Sequence, residues 1–491
     1  MKNGILLFIE SSADDDSLAF DGGYLPNSLP EKLSSIGDCF FSVPQTYSGD
    51  IIKKKCFVRK NTDDISFWKE IFSQTGSDNI IKIFCDSPFL DVSLISDMLN
   101  THTEYIAEFT YSENIPSGLS CEIISKDLLE GVSVDASQDI SLSQIVRSNI
   151  NRFDVELFYR EPDIRDKRLS FRSSSARDKR VMENLVKLAG GIPPYASLEK
   201  LLNEHPEALY AAPSYIEIEL TDDCELSCIF CPREVFGGKR SYMDASVFAS
   251  VMEGMKDFTL PYTICLGGLG EPLMHKEAVA FISAALENAQ LERLVVETNG
   301  LYIDEAYRAL AASQNGKKLI TIVDINGCDR ETYIALHGAD KFSLIAENID
   351  ALFSAIGGDP ERLYVQIMKI NETEAFLDRY YDFWEEKKIP VILQKQNTYL
   401  GRLQDRRYSD LTPLERTPCW HLQRDMFVLA DGTVAFCKQD AAGAHSAGNI
   451  LQQSLAKIYE SRISDYIDNC NCKYPSSPDC SSCDEWYTFN F

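Results

Sequence analysis

From residue 213 onward, short apolar runs alternate regularly with stretches of helical spacing. Strands are predicted at 215–220, 262–266, 293–297, 319–324, 363–368 and 391–393. Between them, segments 247–258, 279–286, 306–312, 344–353 and 376–384 place apolar residues at three- and four-residue intervals, the helical period. Parallel neighbours need a crossover of helical length. Six β-α units in about 190 residues therefore predict an all-parallel sheet, open or curled into part of a barrel. In such barrels the chemistry sits on loops at the carboxyl ends of strands.

Residues 1–190 read as a separate α/β unit, with strands at 5–9, 80–84 and 105–109 and helices at 92–99 and 181–188. A polar, Arg- and Ser-rich stretch at 165–180 reads as a loop or linker, and the breaker Gly190-Gly-Ile-Pro-Pro194 marks a domain boundary. Near the other end, apolar runs at 426–429 and 433–436 flank Asp431-Gly432, a hairpin signal. The division expected is 1–190, a linker at 191–212, a barrel core at 213–415 and a small Cys-rich domain at 416–491.

Charge narrows the partners. With 48 Lys and Arg against 75 Asp and Glu, the net charge is −27. A chain of that sign is poorly suited to gripping nucleic acid by phosphate neutralisation, or to docking on anionic lipid. The first apolar run, 5–9, is too short for a signal segment, and no run of 18 apolar residues occurs. A cytoplasmic protein is expected, in which thiols stay reduced and clustered cysteines are metal ligands or catalysts rather than disulfides.

The chain has 15 cysteines, and their placement is its strongest signal. Cys39, Cys56, Cys85, Cys121, Cys265 and Cys328 are scattered and read as small buried hydrophobes. Cys224, Cys228 and Cys231 form C-x3-C-x2-C directly after the first barrel strand. Three thiolates can ligate three irons of one cubane and leave the fourth iron open to a substrate. A structural zinc wants four closed ligands, and no fourth Cys or His lies near these three. The remaining six, Cys419, Cys437, Cys470, Cys472, Cys480 and Cys483, crowd the final 75 residues. Cys419 and Cys437 bracket the hairpin, and Cys480-Ser-Ser-Cys483 is a C-x2-C chelate, so a metal clamp is expected there.

Cys224-Glu-Leu-Ser-Cys228-Ile-Phe-Cys231-Pro resembles the signature of the radical S-adenosylmethionine (SAM) superfamily. Its context agrees. Gly267-Gly-Leu-Gly-Glu271-Pro272 follows the second strand, Thr298-Asn-Gly300 the third and Asp324-Ile-Asn-Gly327 the fourth, each similar to a family turn. The resemblance implies a partial (β/α)6 barrel and a [4Fe–4S] cluster on Cys224, Cys228 and Cys231. It places Phe230 beside the SAM adenine, Gly268, Gly270 and Glu271 on the methionine part, and Asp324 and Gln366 near the ribose. Asp324 also reads as a turn cap, and Gln366 as a solvent-facing strand residue. No catalytic side chain is assigned. The cysteines after residue 416, with Gly448-Asn-Ile450, resemble the SPASM extension, which carries auxiliary [4Fe–4S] clusters. The full family pattern has one more cysteine and holds two clusters; here the last four read C-x-C-x7-C-x2-C. One auxiliary cluster on Cys419, Cys437, Cys480 and Cys483 is expected, with zinc at that site as the alternative. Cys470 and Cys472 are left as substitutes for one of those ligands or as thiols.

In the first unit, Phe84-Cys-Asp86-Ser-Pro88, Pro116-Ser-Gly118, Glu122-Ile-Ile124, Pro162-Asp-Ile-Arg165 and Arg168-Leu-Ser170 resemble the cytidylyltransferase-like branch of the nucleotidyltransferase fold. The Asp86 position implies a Mg2+ ligand in active members. Their basic glycine-rich loop is replaced here by Glu10-Ser-Ser-Ala-Asp-Asp-Asp16, which repels phosphate. A degenerate domain is expected. The whole arrangement is similar to the spiro-SPASM group. It implies an enzyme that abstracts hydrogen from a peptide or protein and takes electrons from a donor such as flavodoxin or ferredoxin. Two alternatives stand beside it: radical chemistry on a nucleotide-linked sugar or other small molecule, and a non-catalytic iron–sulfur or zinc module.

Overall fold

The computed structural model describes all residues except 11–15, 61, 133–139, 238–239, 476–477 and 489–491. The chain divides into two compact units, Met1–Ala211 and Ala212–Phe491. Most of the acidic run expected to repel phosphate lies outside the described residues.

The first unit is built on a seven-stranded sheet. Its strands are β1 (Asn3–Phe8), β2 (Asp38–Pro44), β3 (Cys56–Arg59), β4 (Asn79–Phe84), β5 (Phe109–Tyr111), β6 (Glu122–Ser125) and β7 (Val155–Leu157), in the order β3-β2-β1-β4-β6-β5-β7. Leu6, Phe40, Trp68, Ile71 and Phe109 anchor its core. The strand expected at 105–109 begins instead at Phe109. The preceding helix, Val92–Glu104, runs further than its apolar spacing implied, because His102 is buried and bonds Thr110 Oγ1 (2.8 Å) and Asn79 Oδ1 (3.3 Å). Tyr105 and Ile106 are left exposed. The helix expected from 181 starts earlier, as Ala176–Ala189, because Ser175 caps it by accepting from the Asp178 N–H. Residues 191–212, expected as a linker, carry the helix Tyr195–Glu204 with Tyr195, Leu198 and Leu202 buried.

The second unit holds the predicted parallel strands: β8 (Tyr215–Glu219), β9 (Tyr262–Gly267), β10 (Leu291–Thr298), β11 (Leu319–Asp324), β12 (Leu363–Lys369) and β13 (Val391–Lys395). Helices cross between them, as in a partial (β/α)6 barrel. The sheet does not stop where the barrel was expected to end. Strand β14 (Asp425–Val428) lies parallel to β8, and β15 (Thr433–Ala435) and β16 (Ser446–Asn449) follow antiparallel, giving nine strands in the order β13-β12-β11-β10-β9-β8-β14-β15-β16. Asp431-Gly432 makes the β14–β15 turn, with Gly432 at φ 81°.

Side chains alternate along a strand, and here one face changes character along its length. Near the amino ends it is apolar: Tyr215, Cys265, Val295, Ile320 and Ile322 are buried together. Toward the carboxyl ends the same face carries Glu217, Glu297, Asp324, Gln366 and Gln394. The polar end is where the cysteine loop begins.

Candidate functional site

The chain leaves β8 into the loop bearing Cys224, Cys228 and Cys231. Arg233 holds that loop from inside, donating from Nε to the Asp222 carbonyl (3.0 Å) and from Nη1 to the Cys224 carbonyl (2.9 Å). The helix Arg330–His337 closes it from the other side: the Ile229 N–H donates to the Leu336 carbonyl at 3.0 Å. Gly338 then ends the helix at φ 69°, where a Cβ would stand 3.3 Å from the Ser227 carbonyl.

The glycine-rich turn after β9 packs its backbone onto this loop. A Cβ on Gly270 would fall 2.2 Å from the Thr221 carbonyl, and one on Gly268, at φ 98°, would fall 2.8 Å from Glu219. Both positions demand glycine. Glu271 accepts from the Leu273 N–H (3.0 Å), Thr298 Oγ1 (2.7 Å) and the Asn299 N–H (2.7 Å), so the third turn is tied to the second. Burial still pushes its carboxyl up to about 7. Glu219 accepts from the Leu269 N–H (2.9 Å) and is likewise pushed up to about 7 by burial.

Asp324 and Gln366 face each other across β11 and β12. Asp324 accepts from Asn326 Nδ2 (2.7 Å), and burial raises it to about 6. Asn326 also accepts from the Met368 N–H (2.6 Å) through Oδ1, while its own N–H donates to His337 Nε2 (3.1 Å). His337 is 1% exposed, and burial pushes its imidazole down to about 3. Its Nδ1 lies 3.0 Å from Cys228 Sγ. Phe230 meets the His337 ring edge-on at 5.7 Å and packs with Leu336 and Ile370.

One cavity of about 530 Å3 brings these parts together. It is lined by Cys224, Cys228 and Cys231 and also by Cys419, Cys437, Cys480 and Cys483. Phe230, Gly268, Gly270, Glu271, Asp324 and Gln366 line it too, so the seven expected ligand cysteines and the six expected SAM contacts open on the same space. Cys470 and Cys472 are not part of the lining: Cys470 ends the helix Ile463–Cys470 beside Tyr466, and Cys472 is exposed.

Sequence reasoning passed over His337 and Lys438, which also line the cavity. Lys438 pairs with buried Glu217 at 3.0 Å. His337 is one of six histidines, with no motif spacing to flag it; only the folded helix end carries it to the cysteine loop. Lys438 directly follows Cys437, and nothing in the sequence says it turns into the barrel.

The donor set suits iron–sulfur ligation. Backbone N–H groups are aimed at the sulfurs of Cys224 (from Leu226), Cys231 (from Arg233), Cys419 (from Leu422 and His421) and Cys437 (from Gln439). The Glu485 N–H does the same for Cys483 at 3.4 Å. Such donors favour thiolate, the state in which sulfur binds metal. Burial pushes Cys224, Cys480 and Cys483 up to about 12, even with Arg233 near Cys224 and Arg416 near Cys480, a penalty that a metal would remove. Among the described residues, no three His, Cys, Asp or Glu side chains are placed as a single bound ion requires.

Comparison with known proteins bears on this arrangement. A radical SAM superfamily model matches residues 218–377, and an SPASM iron–sulfur cluster-binding model matches residues 419–484. The chain carries a radical SAM domain followed by an SPASM domain. It is an enzyme, and these domains imply a [4Fe–4S] cluster, bound SAM and auxiliary cluster binding. An uncharacterized protein of Treponema pallidum (strain Nichols) is 29% identical over 357 residues, 70% of this chain and 97% of that protein. A GTP 3′,8-cyclase of Photorhabdus laumondii is 25% identical over 179 residues, 36% of this chain. The match spans 53% of the cyclase, about half its length. The structure of Streptococcus suis SuiB bound to precursor peptide SuiA aligns with a TM-score of 0.43 at 15% identity, covering 58% of this chain and 77% of SuiB. Among the described residues, no helix is long and apolar enough to cross a membrane.

Proposed function

We propose that this enzyme abstracts hydrogen from a peptide or protein side chain as the opening step of an oxidative modification. The observation that carries the reading is the single cavity onto which both cysteine groups open. Cys224, Cys228 and Cys231 would hold the SAM-binding cluster, and Cys419, Cys437, Cys480 and Cys483 one auxiliary cluster against the same space. When bound, the cluster and SAM supply the electron and the 5′-deoxyadenosyl radical. The chain's own contribution is placement and the exclusion of water. Phe230 would pack beside the adenine, Gly268, Gly270 and Glu271 would receive the methionine part, and Asp324 and Gln366 would meet the ribose. The cavity's carboxyls suit a cationic ligand, since burial leaves Glu271 and Asp324 short of positive charge.

The net charge of −27 favours a neutral or basic peptide over nucleic acid. A nucleotide-linked sugar presented by the first unit is disfavoured by that unit's own chemistry. Asp86, the residue in the position of a Mg2+ ligand, is engaged by Arg172, whose Nε donates to Oδ1 (3.0 Å) and Oδ2 (3.2 Å). Thiol-rich metal sites of this kind call for a reducing compartment, which supports the cytoplasm, and a flavodoxin- or ferredoxin-type donor would supply electrons.

Anaerobic reconstitution tests the ligand assignment first. About eight irons per chain are expected, four for each cubane. Four irons with one zinc would overturn the auxiliary cluster. The reduced protein should then convert SAM to 5′-deoxyadenosine, and Cys228→Ala should abolish that conversion. Incubation with a deuterated peptide encoded beside the gene should move deuterium into 5′-deoxyadenosine; transfer only from a nucleotide-sugar would replace the peptide reading.

A further inference from the structure

We propose that His337 donates an N–H···S hydrogen bond to Cys228 Sγ and thereby raises the reduction potential of the cluster this thiolate helps to hold. The inference rests on the ligand assignment of Cys224, Cys228 and Cys231, which the iron count tests on its own.

The tautomer follows from the hydrogen-bond network. Nε2 accepts from the Asn326 backbone N–H at 3.1 Å, and an imidazole nitrogen that accepts carries no proton. The ring's proton is therefore on Nδ1, which lies 3.0 Å from Cys228 Sγ. The sulfur can only accept.

The donor has little freedom to leave. His337 stacks on Tyr333 with ring centroids 4.2 Å apart and planes 17° apart, and Phe230 closes its edge at 5.7 Å. Asn326, which fixes the other side of the ring, is fully buried and held by Asp324 and the Met368 N–H. The helix end that carries His337 is tied to the cysteine loop by the Ile229 to Leu336 backbone bond. Asn299 Nδ2 approaches Cys224 Sγ at 3.8 Å, a longer contact on the neighbouring ligand.

Reduction adds one electron to the site, and its negative charge spreads onto the sulfurs. An N–H dipole fixed against one sulfur stabilises the reduced form more than the oxidised form, and water does not screen it in a buried site. The imidazole gains and loses no proton in this step; the electron comes from the one-electron donor. His337 is thus a positioning residue acting through Cys228.

The test is an EPR-monitored redox titration of the reconstituted full chain, following the signal that changes when SAM is added. His337→Leu should lower the midpoint potential by a step equivalent to about tenfold in the reduction equilibrium, 59 mV for a one-electron couple. His337→Asn, whose amide nitrogen occupies the place of Nδ1, should recover most of that shift. An unchanged potential in His337→Leu overturns the proposal. A measurement on the wild type needs no variant. With 15N-labelled histidine, pulsed EPR of the reduced cluster should show a nitrogen coupling, and the absence of one also overturns it.

Discussion

Both units bury carboxylates at or just beyond the carboxyl ends of their sheet strands, and they satisfy them in opposite ways. Asp86, two residues after β4, is 2% exposed and bonded through both oxygens to Arg172, whose Nη2 reaches on to Glu10 at 2.9 Å. The guanidinium also lies 3.8 Å from the Phe84 ring centroid. In the second unit, Glu219 and Glu271 receive neutral N–H and hydroxyl donors, and burial leaves both carboxyls near 7. The first arrangement is closed, because a metal ion there would have to displace an internal cation. The second is suited, at Glu271, which lines the cavity, to a ligand that brings positive charge. A buried acid alone does not mark a binding site; what matters is whether the chain supplies its counter-charge.

The largest effect expected from breaking this contrast is at Arg172. Arg172→Met keeps the bulk of the stem and removes the cation, leaving Asp86 buried and unpaired. Loss of one partner of a buried pair costs about 3–5 kcal/mol. Urea denaturation of the full chain should show that loss, and Asp86→Asn in the same background should restore part of it. A loss below about 1 kcal/mol would mean that Asp86 is not held by this pair.

At Glu219 the sign reverses. Its ordinary pKa of 4.5 is raised to about 7 in the folded chain, so between these values the native state holds a proton that the unfolded chain has released. Stability from this group is therefore fully present below about pH 4.5 and is lost as pH rises through about 7. The span corresponds to up to about 3 kcal/mol. Glu219→Gln, which cannot ionise, should flatten the stability profile over that window; an unaltered slope would show that another group causes it.

Much of the second unit was legible because its signals are local. The alternation of apolar runs set the strands, and each glycine turn fell directly after one. C-x3-C-x2-C needs no folding to be seen. The β14–β16 extension of the sheet was not legible, since a strand's neighbour is a long-range choice: Tyr215 pairs with Asp425 across about 200 residues. His337 and Lys438 were missed for the same reason, both being single residues carried to the site by elements whose packing no spacing encodes. In the first unit, the helix capped by Ser175 and the one ending at Glu104 both ran past their apolar pattern, which polar but buried residues such as His102 interrupt.

The smallest effect belongs to a pair of the same chemistry in the first unit. Arg160 Nη2 meets Asp97 Oδ2 at 2.9 Å, as close as Arg172 comes to Asp86, but the two side chains are 51% and 38% exposed against 13% and 3%. Water already solvates both charges, so little desolvation was incurred in forming the pair and little strands when it is broken. Arg160→Ala should cost about 0.2–1 kcal/mol at low salt. The loss should fade in 1 M salt, where the screening length falls to about 3 Å. Arg172→Met, read in the same two buffers, should keep most of its effect, because the buried pair is screened far less. Equal losses at both positions would show that burial is not what separates them, and the contrast between a closed and an open acidic site would lose its physical basis.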